Sequence, residues 1–334
     1  MKILVNMPNG NMRDSFLNNA TMEKLKSLGE VFSNDTNKQL TKEELCERIK
    51  DIDVIFVCWK SLKIDAEVMK HANRLKLVVC TAGSVAPFVS PELYAKGVRV
   101  ISGNEMYAES VAEGVIAYIL SYYRRLPFYM NELRIGNWNE KSVNAGLLGK
   151  TVGVISYGTI SRYLIPLLSM FKVKIKIYSR SITDDVVGKY NLQRASIEEI
   201  VSTCDITTIQ TALNEETYHM INKNMLAKVK EGSLFVNTAR GNVVDEEALI
   251  EQLKSGRFNA ILDVYGKEPI DSSSELLQLD NVMLMPHMAG PTYDWRANIG
   301  SNLADEIPNV LAGGSSLYEI GEDKAFSMSV NITK

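Results

Sequence analysis

The sequence predicts an α/β fold made of two Rossmann-like, doubly wound parallel-sheet domains with an inter-domain cleft, and three observations carry that prediction. Short apolar runs alternate with amphipathic helical stretches nearly throughout the 334 residues. The runs are near-continuous in Val, Ile and Leu instead of alternating with polar residues, as strands covered on both faces are. The series also restarts after a long helix and a polar connection, so one wound unit follows another.

Taken in order, "KILVNM", "VIFVCW", "LKLVVC" and "VRVIS" read as the strands of the first series, with helical stretches at 20–29, 42–50 and 65–73 between them. A helix over 108–125 and the polar segment "RIGNWNEKSVNAGLLGK" lead to the second series: "TVGVIS", "VKIKIYS", "ITTIQT", "SLFVNT", "NAILDV" and "NVMLMP". The stretch 293–313 is helical again and is expected to cross back to the first unit. The expected division is therefore a first domain over 1–101, a second over 102–292 and a returning segment over 293–334. A cleft between two such domains is a common place for a ligand.

Composition narrows the function. A net charge of −3 with both signs interspersed gives no electrostatic case for nucleic acid or an anionic membrane surface. The four cysteines, Cys46, Cys58, Cys80 and Cys204, are far apart and form no C-x-x-C pair, so reduced thiols are expected rather than disulfides or a metal site. The opening "MKILVNMPNG" is strand-like and lacks the apolar core of a signal peptide. The most apolar helix, 111–121, carries Glu113 and ends in Tyr-Tyr-Arg-Arg, which argues against a membrane span. A cytoplasmic protein is the expectation.

The segment "TVGVISYGTISRYL" sits where a strand turns into a helix. A dinucleotide fingerprint places three glycines there: one for the tight turn, one for close approach to the pyrophosphate and one for helix–strand packing. Here those positions are Ser156, Gly158 and Ser161. The phosphate-facing glycine is kept, Ser161 is small, and Ser156 needs a turn that a residue with a Cβ can adopt. The next strand ends in Ser179, Arg180 and Ser181, with no acid before Asp184. A guanidinium and two hydroxyls suit a 2′-phosphate, which a carboxylate would repel. NADP(H) is thus favoured over NAD(H).

Of three histidines, His71 and His219 fall in polar stretches read as helical and exposed, whereas His287 follows an apolar strand in "NVMLMPHMAGPT". Arg240 follows "SLFVNTA", and Glu268 lies in "AILDVYGKEP", after its apolar run. The three come from successive strand ends on one side of one sheet. Arginine clamps a carboxylate, imidazole moves a proton near neutral pH, and an acid can orient the imidazole.

These segments, with "LKLVVCTAGSV", "ESVAEGVIAYIL" and "LRIGNW", resemble the D-2-hydroxyacid dehydrogenase family over nearly the whole chain. The resemblance implies an NAD(P)-dependent oxidoreductase acting on a small 2-oxo or 2-hydroxy acid. His287 would be the acid/base, Glu268 its partner, and Arg240 the residue that binds the carboxylate and polarises the carbonyl. It further implies carboxylate-holding amides at Gly83 and Ser84. The implied cofactor contacts are Ser156, Gly158, Thr159, Ile160, Ser179, Arg180, Thr211, Ala212, Thr238, Ala239 and Asp263. A homodimer joined around 108–138 follows from the same resemblance.

Departures from the family pattern point in particular directions. The serines in the turn and the Ser-Arg-Ser run look like the family's NADP-preferring glyoxylate and hydroxypyruvate reductases. Trp59 lies where phosphoglycerate dehydrogenases place an arginine, so either a phosphorylated substrate is disfavoured or Trp59 is core packing. Glu268 argues against formate dehydrogenase chemistry, which uses glutamine there. The alternative to an enzyme is an NAD(P)(H)-sensing regulatory protein on the same fold.

Overall fold

The computed structural model describes residues 1–140 and 143–329, so Lys141 and Ser142 of the polar connection and the last five residues lie outside it. The β-branched runs form strands because covering both faces of a parallel sheet buries every side chain. In the first unit, Met1–Tyr107 with Pro291–Lys334, these are β1 (Lys2–Val5), β2 (Glu30–Ser33), β3 (Val54–Val57), β4 (Leu77–Cys80) and β5 (Arg99–Ser102). Every residue of β3 and β4 is buried. The order is β2-β1-β3-β4-β5, and all pairs are parallel. The winding reverses between β1 and β3, so the crevice of this sheet opens at their carboxyl ends. The helix Tyr293–Leu311 packs on the helices Asn11–Phe16 and Asn19–Leu28 and buries Ile299, Leu303 and Ile307. A Cβ at Gly300 would stand 1.8 Å from the Phe16 carbonyl oxygen, so only glycine permits that approach.

The second unit, Ala108–Gly290, carries β6 (Thr151–Ile155), β7 (Lys174–Tyr178), β8 (Gln193–Arg194), β9 (Ile206–Ile209), β10 (Leu234–Asn237), β11 (Asn259–Leu262) and β12 (Val282–Leu284). Their order is β12-β11-β10-β9-β6-β7-β8, again parallel throughout. Here the reversal falls between β6 and β9. β6, with the serine-containing turn at its end, therefore borders the switch point where nucleotide crevices form.

Some elements differ from the sequence reading. The long helix runs Asn104–Tyr123 and ends before Arg125, whose φ of 53° breaks it; a second helix, Leu126–Arg134, follows. β2 and β8 were not expected, because edge strands half in solvent carry no continuous apolar run. His219 lies in a turn stacked on Tyr218, not in a helix, with its amide donating to the Asn242 carbonyl.

Candidate functional site

The turn after β6 keeps the glycine conformation without the glycine. Ser156 has a φ of 84°, a region in which a Cβ is strained by about 1–2 kcal/mol. Two hydrogen bonds hold it there: its amide donates to the Tyr178 carbonyl at 2.7 Å, and its carbonyl accepts from the Ser161 hydroxyl at 2.7 Å. Ser161 is fully buried. The two serines that depart from the fingerprint are thus one linked pair. Ser156→Gly is expected to raise the melting temperature by about 2–4 °C, the shift that 1 kcal/mol gives a domain of this size. A lowered melting temperature would show that the turn carries no strain.

Gly158 caps the helix Thr159–Met170 and has no side chain to accept from its first-turn amides. A Cβ at Gly158 would find only the Gln210 carbonyl oxygen, at 3.9 Å, so the space above the turn is open. Gln210, at the end of β9, donates through Nε2 to the Thr208 and Thr238 hydroxyls, while its buried Oε1 has no partner. Helix first-turn amides beneath an open cradle at the switch point fit a pyrophosphate-bearing dinucleotide. Gln210 Oε1, an acceptor without a partner among the described residues, suits a hydroxyl or amide donor and not phosphate oxygens.

At the end of β7, the Ser179 hydroxyl lies 3.3 Å from that of Ser181 and accepts from the Ser181 amide. Arg180 is exposed, and its guanidinium donates to Glu216 at 2.9 Å. Glu216 escaped the sequence reading because it arrives from the loop after β9. Thr211 and Ala212 are half-buried, and the Ala212 carbonyl accepts from the Thr217 hydroxyl. Thr238 and Ala239 are buried at the end of β10.

Glu268 and His287 meet within this unit, and Arg240 lies near enough for its charge to act on Glu268. His287 Nδ1 lies 2.6 Å from Glu268 Oε2, which leaves Nε2 as the ring nitrogen that Glu268 does not engage. Glu268 Oε1 accepts from the Tyr265 amide. Burial works against the Glu268 charge, but His287, the Tyr265 amide and the Arg240 charge together hold its pKa below the ordinary glutamate range. Arg240 Nη1 donates to the Ala239 carbonyl at 2.6 Å. Burial lowers the Arg240 pKa, and the Glu268 carboxylate opposes that effect. Gly241 makes the approach possible, because a Cβ there would stand 1.9 Å from the Tyr265 carbonyl carbon.

His287 itself has a φ of 52°. The backbone after it is clamped by Asp263, which accepts from the Met288 amide at 2.8 Å and the Ala289 amide at 2.9 Å, and from the Tyr118 hydroxyl. Asp263 was expected among the cofactor contacts. It is 1% exposed, and both of its oxygens accept from the loop behind His287. Burial raises its pKa against those hydrogen bonds.

The loop containing Gly83 and Ser84 belongs to the first unit. The Gly83 carbonyl accepts from Asn104 Nδ2 at 2.8 Å, and the Ser84 hydroxyl donates to the Ser329 carbonyl at 2.9 Å. Trp59 is 38% exposed and packs edge-on against Phe16 and Tyr107, so it is not simple core packing.

Residues 116–289 match the family model described as D-isomer specific 2-hydroxyacid dehydrogenase, NAD binding domain. A glyoxylate reductase of Thermofilum pendens is 34% identical over 280 residues, which are 82% of each chain. A D-3-phosphoglycerate dehydrogenase of Methanocaldococcus jannaschii is 32% identical over 86% of this chain and 55% of its own, so the chain spans about half of that relative. A Pyrococcus horikoshii OT3 protein of known crystal structure is similar with a TM-score of 0.79 at 26% identity, over 96% of this chain and 95% of that one.

Proposed function

The chain belongs to the D-isomer specific 2-hydroxyacid dehydrogenase family, and from that premise we propose that it reduces a small 2-oxo acid to the 2-hydroxy acid, with NADP(H) preferred. The observation that carries the reading is the 2.6 Å contact between His287 and Glu268, with Arg240 alongside. Bound nicotinamide supplies or accepts the hydride. His287 Nε2 gives a proton to the 2-oxo oxygen in reduction and takes it back in oxidation. Glu268 occupies Nδ1, fixes the ring and balances the imidazolium. Arg240 binds the substrate carboxylate and polarises the carbonyl, together with the Gly83 and Ser84 amides. A steady-state screen of glyoxylate, pyruvate, hydroxypyruvate and larger 2-oxo acids with NADPH and NADH tests this. Dinucleotide binding without any turnover would favour a sensor instead.

Ser156, Gly158, Thr159 and Ile160 are assigned to the pyrophosphate, Ser179 and Arg180 to the ribose end, and Thr211, Ala212, Thr238 and Ala239 to the nicotinamide side. The NADP preference rests on Arg180. Its pair with Glu216 is exposed on both sides, and such pairs are weak enough for a 2′-phosphate to displace. Arg180→Ala is expected to weaken NADPH binding about tenfold more than NADH binding, and Glu216→Gln to tighten NADPH by a smaller factor. Fluorescence titration reads both constants, and equal effects on the two dinucleotides would remove the argument.

We assign the protein to the cytoplasm on its four buried free thiols, and to a homodimer on the arm around 108–138. The helix Leu126–Arg134 buries none of its residues, and Leu133, Ile135 and Trp138 are 57%, 78% and 75% exposed. An apolar face of that kind needs a cover. Sedimentation should give twice the 37.3 kDa chain mass, with Leu133→Glu shifting the protein to monomer; a monomeric wild type would overturn the assignment.

A further inference from the structure

We propose that Tyr118 is a positioning residue for His287, acting through Asp263 to fix the loop that carries the imidazole. The inference rests on the reductase reading, in which His287 exchanges the proton. It starts from spacing along the helix Asn104–Tyr123. Ser110, Gly114 and Tyr118 fall four residues apart and so share one face of that helix. Ala112, Val115 and Ile119 are meanwhile fully buried in the core of the second unit. Each residue of the stripe meets the loop after His287 or the acid that anchors it. A Cβ at Gly290 would stand 3.0 Å from Ser110 Oγ and 2.9 Å from the Val111 nitrogen. A Cβ at Gly114 would stand 2.2 Å from the Ala289 carbonyl oxygen. The Tyr118 hydroxyl donates to Asp263 Oδ1 at 3.2 Å. Three successive turns of one helix thus form the seat of the loop.

What the seat holds is a strained turn. His287 has a φ of 52°, a left-handed conformation that costs a residue with a Cβ about 1–2 kcal/mol. Such a conformation persists only where its surroundings over-determine it. Here the chain is gripped on both sides of the imidazole. Before it, the Met285 carbonyl accepts from the Tyr265 hydroxyl at 2.8 Å and from the His287 amide at 3.1 Å. After it, Asp263 accepts from the Met288 and Ala289 amides. A buried carboxylate keeps such bonds only while enough donors satisfy it. Oδ1 takes the Met288 amide together with the Tyr118 hydroxyl, and the hydroxyl is the one of these donors that comes from a side chain. Without it Asp263 loses part of its hold, the turn relaxes, and the ring leaves the single placement in which Nδ1 meets Glu268 at 2.6 Å. Tyr118 therefore bears on the rate through Asp263 and not through the reacting atoms.

Tyr118→Phe removes the hydroxyl and keeps the ring, so it separates the hydrogen bond from the packing of the helix. The test compares it with wild type in steady-state reduction of 2-oxo acids and in ring nitrogen NMR of the full chain. kcat should fall about tenfold, the low end for a lost hydrogen bond to a charged group, with KM for the 2-oxo acid and for the dinucleotide near wild type. The chain has only three histidines, and His287→Gln identifies the signals of His287 among them. In Tyr118→Phe those signals should shift or split, while the signals of His71 and His219 stay in place. Gly114→Ala presses on the Ala289 carbonyl from the same helix face and should move the same His287 signals. His287 signals that stay in place in Tyr118→Phe, or a kcat equal to that of wild type, would overturn the proposal, and a lowered melting temperature alone would leave Tyr118 a packing residue. A wild type that turns over no 2-oxo acid would remove the reductase reading by itself. The NMR comparison would then still decide whether Tyr118 sets the placement of the His287 ring.

Discussion

Replacing His287 with glutamine is expected to lower kcat for 2-oxo acid reduction by about 10²–10⁴-fold, the contribution of one positioned proton donor, with dinucleotide affinity unchanged. The argument is geometric. Nδ1 is taken by Glu268 at 2.6 Å, so the imidazole has one nitrogen left for the substrate, and glutamine offers no titratable group there. Glu268→Gln should cost less, because it keeps the shape and loses only the charge that orients and balances the imidazolium. The sign of the pH dependence follows from the depressed Glu268 pKa. A carboxylate held below its ordinary range contributes its stabilisation above that range and loses it only as pH falls through the lowered value. The pair therefore stays intact through mildly acidic pH in the wild type, and the Glu268→Gln defect should persist across that whole window. Steady-state profiles for the three proteins check this. Full activity of His287→Gln would remove the assignment of the acid/base.

The strands, their parallel pairing and the residues of the proposed catalytic trio were legible because each is a local signal: a continuous apolar run, or a distinctive residue directly after one. What stayed hidden depends on backbone approach between distant segments. Ser156 is an example, since the residue alone suggests a changed turn. Only the Ser161 hydroxyl on its carbonyl shows that the glycine conformation is retained. Asp263 was visible as a strand-end acid, yet its partners are the amides of Met288 and Ala289, reached through the pairing of β11 with β12. Glu216 carries no motif at all, and it meets Arg180 because a loop after β9 folds toward β7.

Arg240→Lys is expected to lower kcat/KM by about 10²–10³-fold, close to the loss of an entire preorganised donor, even though the charge is kept. A lysine ammonium is a compact point charge and cannot present two parallel N–H groups to a carboxylate. The arginine rotamer is also set by its own surroundings, with Nη1 donating to the Ala239 carbonyl at 2.6 Å and the Asn237 side chain donating to the Arg240 carbonyl at 3.0 Å. Gly241 separates chemistry from placement. A methyl group there would meet the Tyr265 backbone at 1.9 Å, so the Arg240 turn and the loop leading to Glu268 would have to part. Gly241→Ala should therefore combine a comparable kinetic loss with destabilisation of about 1–3 kcal/mol from overpacking. Arg240→Lys should leave the melting temperature near that of wild type. If Arg240→Lys instead unfolds the protein as readily as Gly241→Ala, the arginine is a packing element and its role at the substrate carboxylate falls. If Gly241→Ala is fully active, the close approach of the two loops is not what brings Arg240 and Glu268 together.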